Sequence, residues 1–329
     1  MNLGAKRTSA AIGLAVALLC MPALAAEPSH EKGTPADNAL LLDQSRVVFD
    51  SSVPPGSGSE RFGYGLAIEG DTAVVVAPEH YSAGTQIRGV AYVYMLTDTG
   101  WSAPSKLQVG DPLVASVFGT AVAISGTTLV IGGGNLSTNF IGAKAFVFER
   151  VGDDWQYSAT LTSPGSGNHF GNSVDIDGDV IIVGDPTTES ASVFQRAGSG
   201  WDEVQKLQAV PAIAGTLFGF EVAVEDDLIA VSRIWFPSFQ LRKGSVHIFR
   251  QTMGVWQQEA EFTPSDGGNI AELGGSLSVS AGKVLAGAPM YSLEETGRSI
   301  GAAFIFEKTG AAWTATRLLG SLPAGSNFW

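Results

Sequence analysis

The chain of 329 residues has one cysteine, Cys20, only four histidines, and 19 lysines and arginines against 32 acidic residues. A single cysteine allows no internal disulfide, so packing alone must hold the fold. The formal net charge of −13 repels phosphate backbones and anionic lipid heads, which argues against nucleic acid as a partner. Past the N-terminal segment no apolar run is long enough for a transmembrane helix. His30, His80, His169 and His247 fall at no metal-ligand spacing, and no GxSxG elbow is present. Gly132-Gly133-Gly134 is glycine-rich but has no lysine to meet a phosphate. By motif, then, the chain has no catalytic residue, no metal site and no cofactor, and the expectation is that it is not an enzyme.

The N-terminus reads as a targeting segment. Lys6 and Arg7 precede an apolar stretch from Thr8 to Met21, followed by Ala23-Leu24-Ala25, a small-residue cleavage pattern. Residues 1–25 are expected to be a signal peptide, cleaved after Ala25 or Ala26 and taking Cys20 with it. Leu19 before Cys20 argues against lipidation. The expected location is periplasmic, outer-surface or secreted, with 26–44 a leader and 45–329 one domain.

What the chain has in abundance is glycine, 41 residues, and an internal repeat. Five segments open with one device, anchored at Phe62, Phe118, Phe170, Phe218 and Leu273, at spacings of 56, 52, 48 and 55 residues. Four and six residues after each anchor come Leu66 and Ile68, Val122 and Ile124, Val174 and Ile176, Val222 and Val224, Leu277 and Val279. That period of two marks one face of a strand. A tight turn follows, such as Gly70-Asp71 or Gly178-Asp179, then a second apolar run. A third strand carries an aromatic residue seven positions before Trp101, Trp155, Trp201, Trp256 and Trp313. Each repeat is thus a four-stranded antiparallel meander. One such sheet cannot bury both faces alone, whereas five set radially bury one another. The expected fold is an all-β propeller of about five four-stranded blades, with six or seven still open. Ser45–Ser51 reads as a further fourth strand, and Phe328 falls where another anchor would lie.

The repeats resemble the FG-GAP family, which includes the integrin α head and many exported bacterial proteins. The dipeptide FG is intact at Phe62-Gly63, Phe118-Gly119, Phe170-Gly171 and Phe218-Gly219, and GAP is literal at Gly287-Ala288-Pro289. The resemblance covers residues 45 to 329. It implies a β-propeller and, in general, adhesion or protein recognition. Many members carry a calcium loop. The nearest candidate here, Asp175-Ile176-Asp177-Gly178-Asp179, offers too few converging oxygens and reads as a solvated acidic hairpin.

Length variation falls on the loops between second and third strands. That face is the expected binding surface for an extracellular or envelope protein or a glycan. Its candidate residues are Trp235, Phe236, Phe239 and Arg242, in an aromatic loop stretch from Arg233 to Lys243, together with His80, Tyr81 and Tyr291. The tryptophan series, with its fixed offset, is expected to be structural. The expected function is therefore a recognition, adhesion or scaffolding module. The alternative is a periplasmic or secreted hydrolase or lyase using carboxylates around the axis, such as Asp111, Glu294 and Glu295.

Overall fold

The structure is a computed structural model. It describes residues 61–81, 88–109, 118–134, 143–213, 215–238, 241–263, 272–292 and 301–319. The targeting segment, Ser45–Ser51, Asp111, Phe239, Glu294, Glu295 and Phe328 lie outside the described residues. Among the described residues no helix is long and apolar enough to cross a membrane.

The chain forms five antiparallel sheets, one per repeat, each with its strands in sequence order. Blade 1 contains β1 (Gly65–Glu69), β2 (Thr72–Tyr81), β3 (Arg88–Thr97) and a fourth strand broken into β4 (Gly100–Trp101) and β5 (Ser105–Leu107). Blade 2 contains β6 (Val122–Ser125), β7 (Thr128–Gly133), β8 (Lys144–Val151) and β9 (Asp154–Leu161). Blade 3 contains β10 (Val174–Asp177), β11 (Val180–Asp185), β12 (Ser190–Ala197) and β13 (Gly200–Leu207). Blade 4 contains β14 (Leu217–Glu225), β15 (Leu228–Ser238), β16 (Leu241–Thr252) and β17 (Val255–Phe262). Blade 5 contains β18 (Ser276–Ser280), β19 (Lys283–Ala288), β20 (Ala302–Thr309) and β21 (Ala312–Leu318). The inner strands β1, β6, β10, β14 and β18 all line one central cavity, so the blades are arranged about a common axis. The fold is a β-propeller of five four-stranded blades.

The repeated motifs are the interlock between blades. All five glycines that follow the anchors, Gly63, Gly119, Gly171, Gly219 and Gly274, have φ between 85° and 95°, a region that L side chains avoid. The second-strand glycine of one blade lies against this turn in the next. A Cβ on Gly132 would stand 2.1 Å from the Gly171 carbonyl oxygen, and one on Gly184 would stand 2.2 Å from that of Gly219. No side chain fits there, so the two motif glycines are halves of one contact.

The apolar period-two residues fill the spaces between sheets. Val122, Ile124, Leu129 and Phe148 pack with Val74, Val76 and Val93 of blade 1. Phe218, Val222 and Val224 pack with Ile182 and Val193 of blade 3. The tryptophans open the outer strands as expected. Trp155 and Trp256 are buried in these clusters, and the Arg196 guanidinium lies 4.4 Å from the Trp201 ring centre. A sugar-stacking ladder would need them open to solvent.

Two sequence expectations change. The supposed loops at His80–Tyr81 and Arg233–Lys243 are extended hairpin arms. Tyr81 pairs with Arg88. Trp235 pairs with Lys243, and Ser238 pairs with Leu241. Ile234, Trp235 and Phe236 are strong strand formers, and the register slips only between Trp235 and Ser238, around Pro237. The Asp175–Asp179 hairpin also differs from its reading as merely solvated. Asp175 is buried, and both Asp175 and Asp177 accept backbone hydrogen bonds from the next blade.

Candidate functional site at the mouth of the central channel

The inner strand of each blade presents an unpaired backbone edge toward the axis, and such N–H groups need acceptors. Side chains of the preceding blade supply them. Glu69 accepts from Gly126 N at 2.7 Å, and Ser125 accepts from Gly178 N at 3.0 Å. Between blades 3 and 4 there are three such rungs. Ser173 Oγ accepts from Val222 N at 3.1 Å, Asp175 Oδ2 from Val224 N at 2.8 Å, and Asp177 Oδ2 from Asp226 N at 2.6 Å.

At the top of this ladder sits Glu221. Three residues past its anchor, the other blades have Gly65, Ala121, Ser173 and Ser276, all small. Blade 4 has a glutamate, placed where the pairing of β14 with β15 slips between Phe218 and Val222. Bulges of this kind re-aim a side chain out of the ladder. Glu221 is only 8% exposed. Ser173 Oγ donates to its Oε2 at 3.1 Å, and the Glu221 N–H donates to Ser232 Oγ at 2.9 Å. Burial pushes its carboxyl up to about 8, against a smaller opposing effect of the Ser173 hydroxyl. At neutral pH it is mostly the protonated acid, which can donate a proton.

Ser173 and Glu221 precede Val174 and Val222, which line the central cavity together with Leu66, Leu277 and Asp175. The cavity is narrow, with a volume of about 20 Å³. Because strand 1 of each blade starts where the chain enters from the previous blade, Glu221 stands at the end of the channel nearest the long hairpin arms. Blade 1 faces it there with Tyr64. Burial raises the Tyr64 phenol, Arg61 works against this, and the Glu221 charge adds to it. Arg61 pairs with Glu79 at 3.0 Å. The mouth therefore gathers a buried carboxylic acid, a serine hydroxyl, a tyrosine and an ion pair from three blades.

Trp235 is 39% exposed and lines a separate lateral pocket with Arg233 and Ile213. Phe236 and Arg242 are strand residues of the blade 4 arm, and His80 and Tyr81 end β2. Tyr291 is 1% exposed, packs edge-on against Phe304, and its hydroxyl accepts from Arg317. It is a core residue and cannot anchor a partner. His247 is fully buried. Burial and the Arg233 charge hold its imidazole down at about 4, so it stays neutral and structural. No group of three or more metal-ligating side chains gathers among the described residues.

No family model matches the chain, and no curated protein matches it. Solved structures do. A protein of Bacteroides uniformis provisionally assigned as a 6-phosphogluconolactonase aligns over 78% of this chain and 70% of its own, with TM-score 0.52 and 12% identity. A second such protein, from Bacteroides fragilis, aligns over 79% and 72%, with TM-score 0.50 and 13% identity. The β-propeller domain of the Trilobed protease from Pyrococcus furiosus aligns more loosely, over 74% and 67%, with TM-score 0.44 and 8% identity.

These findings correct the functional expectation. The chain shares its fold with propellers assigned as enzymes, so the repeat architecture gives no ground for reading it as a non-catalytic recognition module. The channel mouth offers a buried carboxylic acid, Glu221, which belongs to no histidine or serine motif and differs from the axial carboxylates Asp111, Glu294 and Glu295 expected from sequence.

Proposed function

We propose that the chain is a propeller hydrolase whose reaction runs at the channel mouth, with Glu221 as general acid–base. The observation that carries this is the burial of Glu221 against Ser173, with its carboxyl raised to about 8. A buried carboxylate that is ionised needs a cation or several N–H donors, as Asp175 has, whereas the Glu221 carboxyl is met by the Ser173 hydroxyl. This one is kept neutral, the condition for giving a proton to a leaving oxygen and taking one back from water. Tyr64 stands opposite to orient a substrate oxygen, and Ser173 holds the carboxyl in place. The fold likeness to two provisionally assigned lactonases makes a sugar lactone the first substrate to try, with simple esters next. The repeats are read as FG-GAP repeats of an exported protein, supported by the five positive-φ glycines after the anchors and by the N-terminal Lys6–Ala25 pattern.

The test is hydrolysis of sugar lactones and esters by wild type and Glu221→Gln, with folding checked by circular dichroism. The expected loss is roughly 100-fold or more, as for removal of a general acid. A folded Glu221→Gln protein that hydrolyses the same substrate at the wild-type rate would sink the proposal.

A further inference from the structure

A buried cation also faces a cavity. Arg233, on β15, is 9% exposed. Its Nε donates to Ser245 Oγ at 3.1 Å, and its Nη2 pairs with Glu261 Oε1 at 2.5 Å. Its Nη1 is buried and has no hydrogen-bond partner. A guanidinium presents five N–H donors and no acceptor, and leaving two of them unmet in a buried place is costly. The rest of the group is fixed by a relay. Ser245 bonds to His247 Nε2 at 2.9 Å, His247 Nδ1 to Gln258 Oε1 at 3.3 Å, and Gln258 to both backbone groups of Val210 at 3.0 Å. The guanidinium is thus held from behind by blade 4 and by the connection from blade 3, with one nitrogen left over.

That arginine lines a lateral pocket of about 160 Å³. Ser245, Gly244, Thr216 and Thr263 also line it, and the exposed Trp235 and Ile213 form its rim. Trp235 and Ile213 are exposed apolar surfaces. Among the described residues no carboxylate lines the pocket, and Glu261 is already committed to Nη2. In a chain of net charge −13, a described lining of a buried guanidinium and hydroxyls stands out. Small-molecule sites have this composition, mostly apolar walls with a few polar groups that fix orientation.

The geometry points to a binding pocket for a small organic anion between blades 3 and 4. One carboxylate or phosphoryl oxygen meets Arg233 Nη1, and the apolar body lies against Trp235 and Ile213. Charge-assisted bonds to a guanidinium are among the stronger hydrogen bonds, and the aromatic rim gives the ligand body its area. The pocket is independent of the channel mouth, since none of Tyr64, Ser173 and Glu221 lines it.

Calorimetric titration of the full chain with phenyl phosphate, benzoate and phenol tests this. Binding of phenyl phosphate or benzoate is expected, with phenol weaker by at least about tenfold. Whichever anion binds more tightly identifies the head group. Ile213→Glu places a negative charge on an exposed rim residue and should weaken the anion by roughly tenfold or more. Trp235→Ala should weaken it by roughly fivefold. Both should melt within a few degrees of wild type, and Ile213→Glu should leave any hydrolysis at the channel mouth unchanged. Glu221→Gln should bind the anion like wild type, which separates this site from the hydrolytic one. Equal binding of phenol, unchanged anion affinity in both rim variants, or no binding of either anion at millimolar concentration would each overturn the inference.

Discussion

The junction between blades 3 and 4 and the space between blades 5 and 1 are built from the same repeat and end up in opposite states. Between blades 3 and 4, Ser173, Asp175 and Asp177 cap the edge of β14. Gln205 exchanges two bonds with the backbone of Trp256, at 2.7 and 2.8 Å, and Phe218, Val222 and Val224 are buried. Facing the space between blades 5 and 1, the corresponding β1 residues Leu66 and Ile68 are 47% and 54% exposed, and Leu285 of β19 is also exposed. The repeat supplies an apolar face in both places. What differs is whether a neighbouring blade lies close enough to use it. Stability in such an array is a sum of local interfaces, so it should be uneven around the ring. Both candidate sites, Glu221 and Arg233, lie at the tight junction, where a buried ionisable group can be held against its desolvation cost.

The sharpest way to break this comparison is Trp256→Ala. Trp256 is buried in the cluster between blades 3 and 4. Truncating a buried aromatic residue typically costs about 3–5 kcal/mol, read as a shift in the denaturant midpoint. A loss below about 1 kcal/mol, the range of ordinary surface changes, would mean that this junction does not hold the ring together.

Titration of stability with pH should show the next largest effect. From pH 4.5 to about 8 the folded chain keeps a proton on Glu221 that the unfolded chain releases, so stability falls as pH rises through that window. His247 acts in the opposite sense. From pH 6.5 down to about 4 the unfolded chain takes up a proton that the buried imidazole refuses, so stability falls as pH drops. The two slopes oppose each other below pH 6.5, and the loss due to Glu221 stands alone between 6.5 and about 8. It should approach about 1.4 kcal/mol per pH unit at most. Glu221→Gln should flatten that limb. A wild-type profile already flat from pH 6.5 to 8 would show that Glu221 ionises freely.

A smaller loss is expected from Asp175→Ala. Its two oxygens accept from Ile176 N and Val224 N at 2.9 and 2.8 Å. Removing a buried acceptor and orphaning its donors should cost about 1–3 kcal/mol. Calcium or chelator should leave this variant and the wild type equally unmoved in melting temperature, because both carboxylate oxygens are engaged by backbone N–H groups.

Much of this was legible in the sequence because the signal was periodic. The anchors, the period-two apolar pairs and the tryptophans recur at fixed offsets, and a residue repeated five times at one offset has a packing reason that a sequence can display. Blade count and strand order follow from that. The candidate sites were not legible, because each is a single-copy departure inside a repeated frame. Glu221 occupies a position where the other blades carry small residues, and this was the available clue. Arg233 stands in strand register with Ala77, Asp185 and Ala288, just before the motif proline position, and its partners Ser245 and Glu261 come from the two following strands of its blade. The hairpin arms read as loops from their length variation, whereas ladder pairing runs on past the motif.

The smallest expected effect lies at the other end of the comparison. Leu66→Ala removes three carbons from a β1 side chain that is already about half in water, so little apolar area is lost from burial. The same change at Val222, which is buried and holds the same place in β14, opens a cavity in a packed cluster. Leu66→Ala should cost less than about 1 kcal/mol, and Val222→Ala about 2 kcal/mol or more, although leucine is the larger residue. The inversion is the informative part, since side-chain size alone predicts the reverse order. Equal losses in denaturant unfolding would mean that the face of blade 1 is as well covered in solution as that of blade 4. The ring would then be sealed all the way round, and the contrast between the two junctions would be gone.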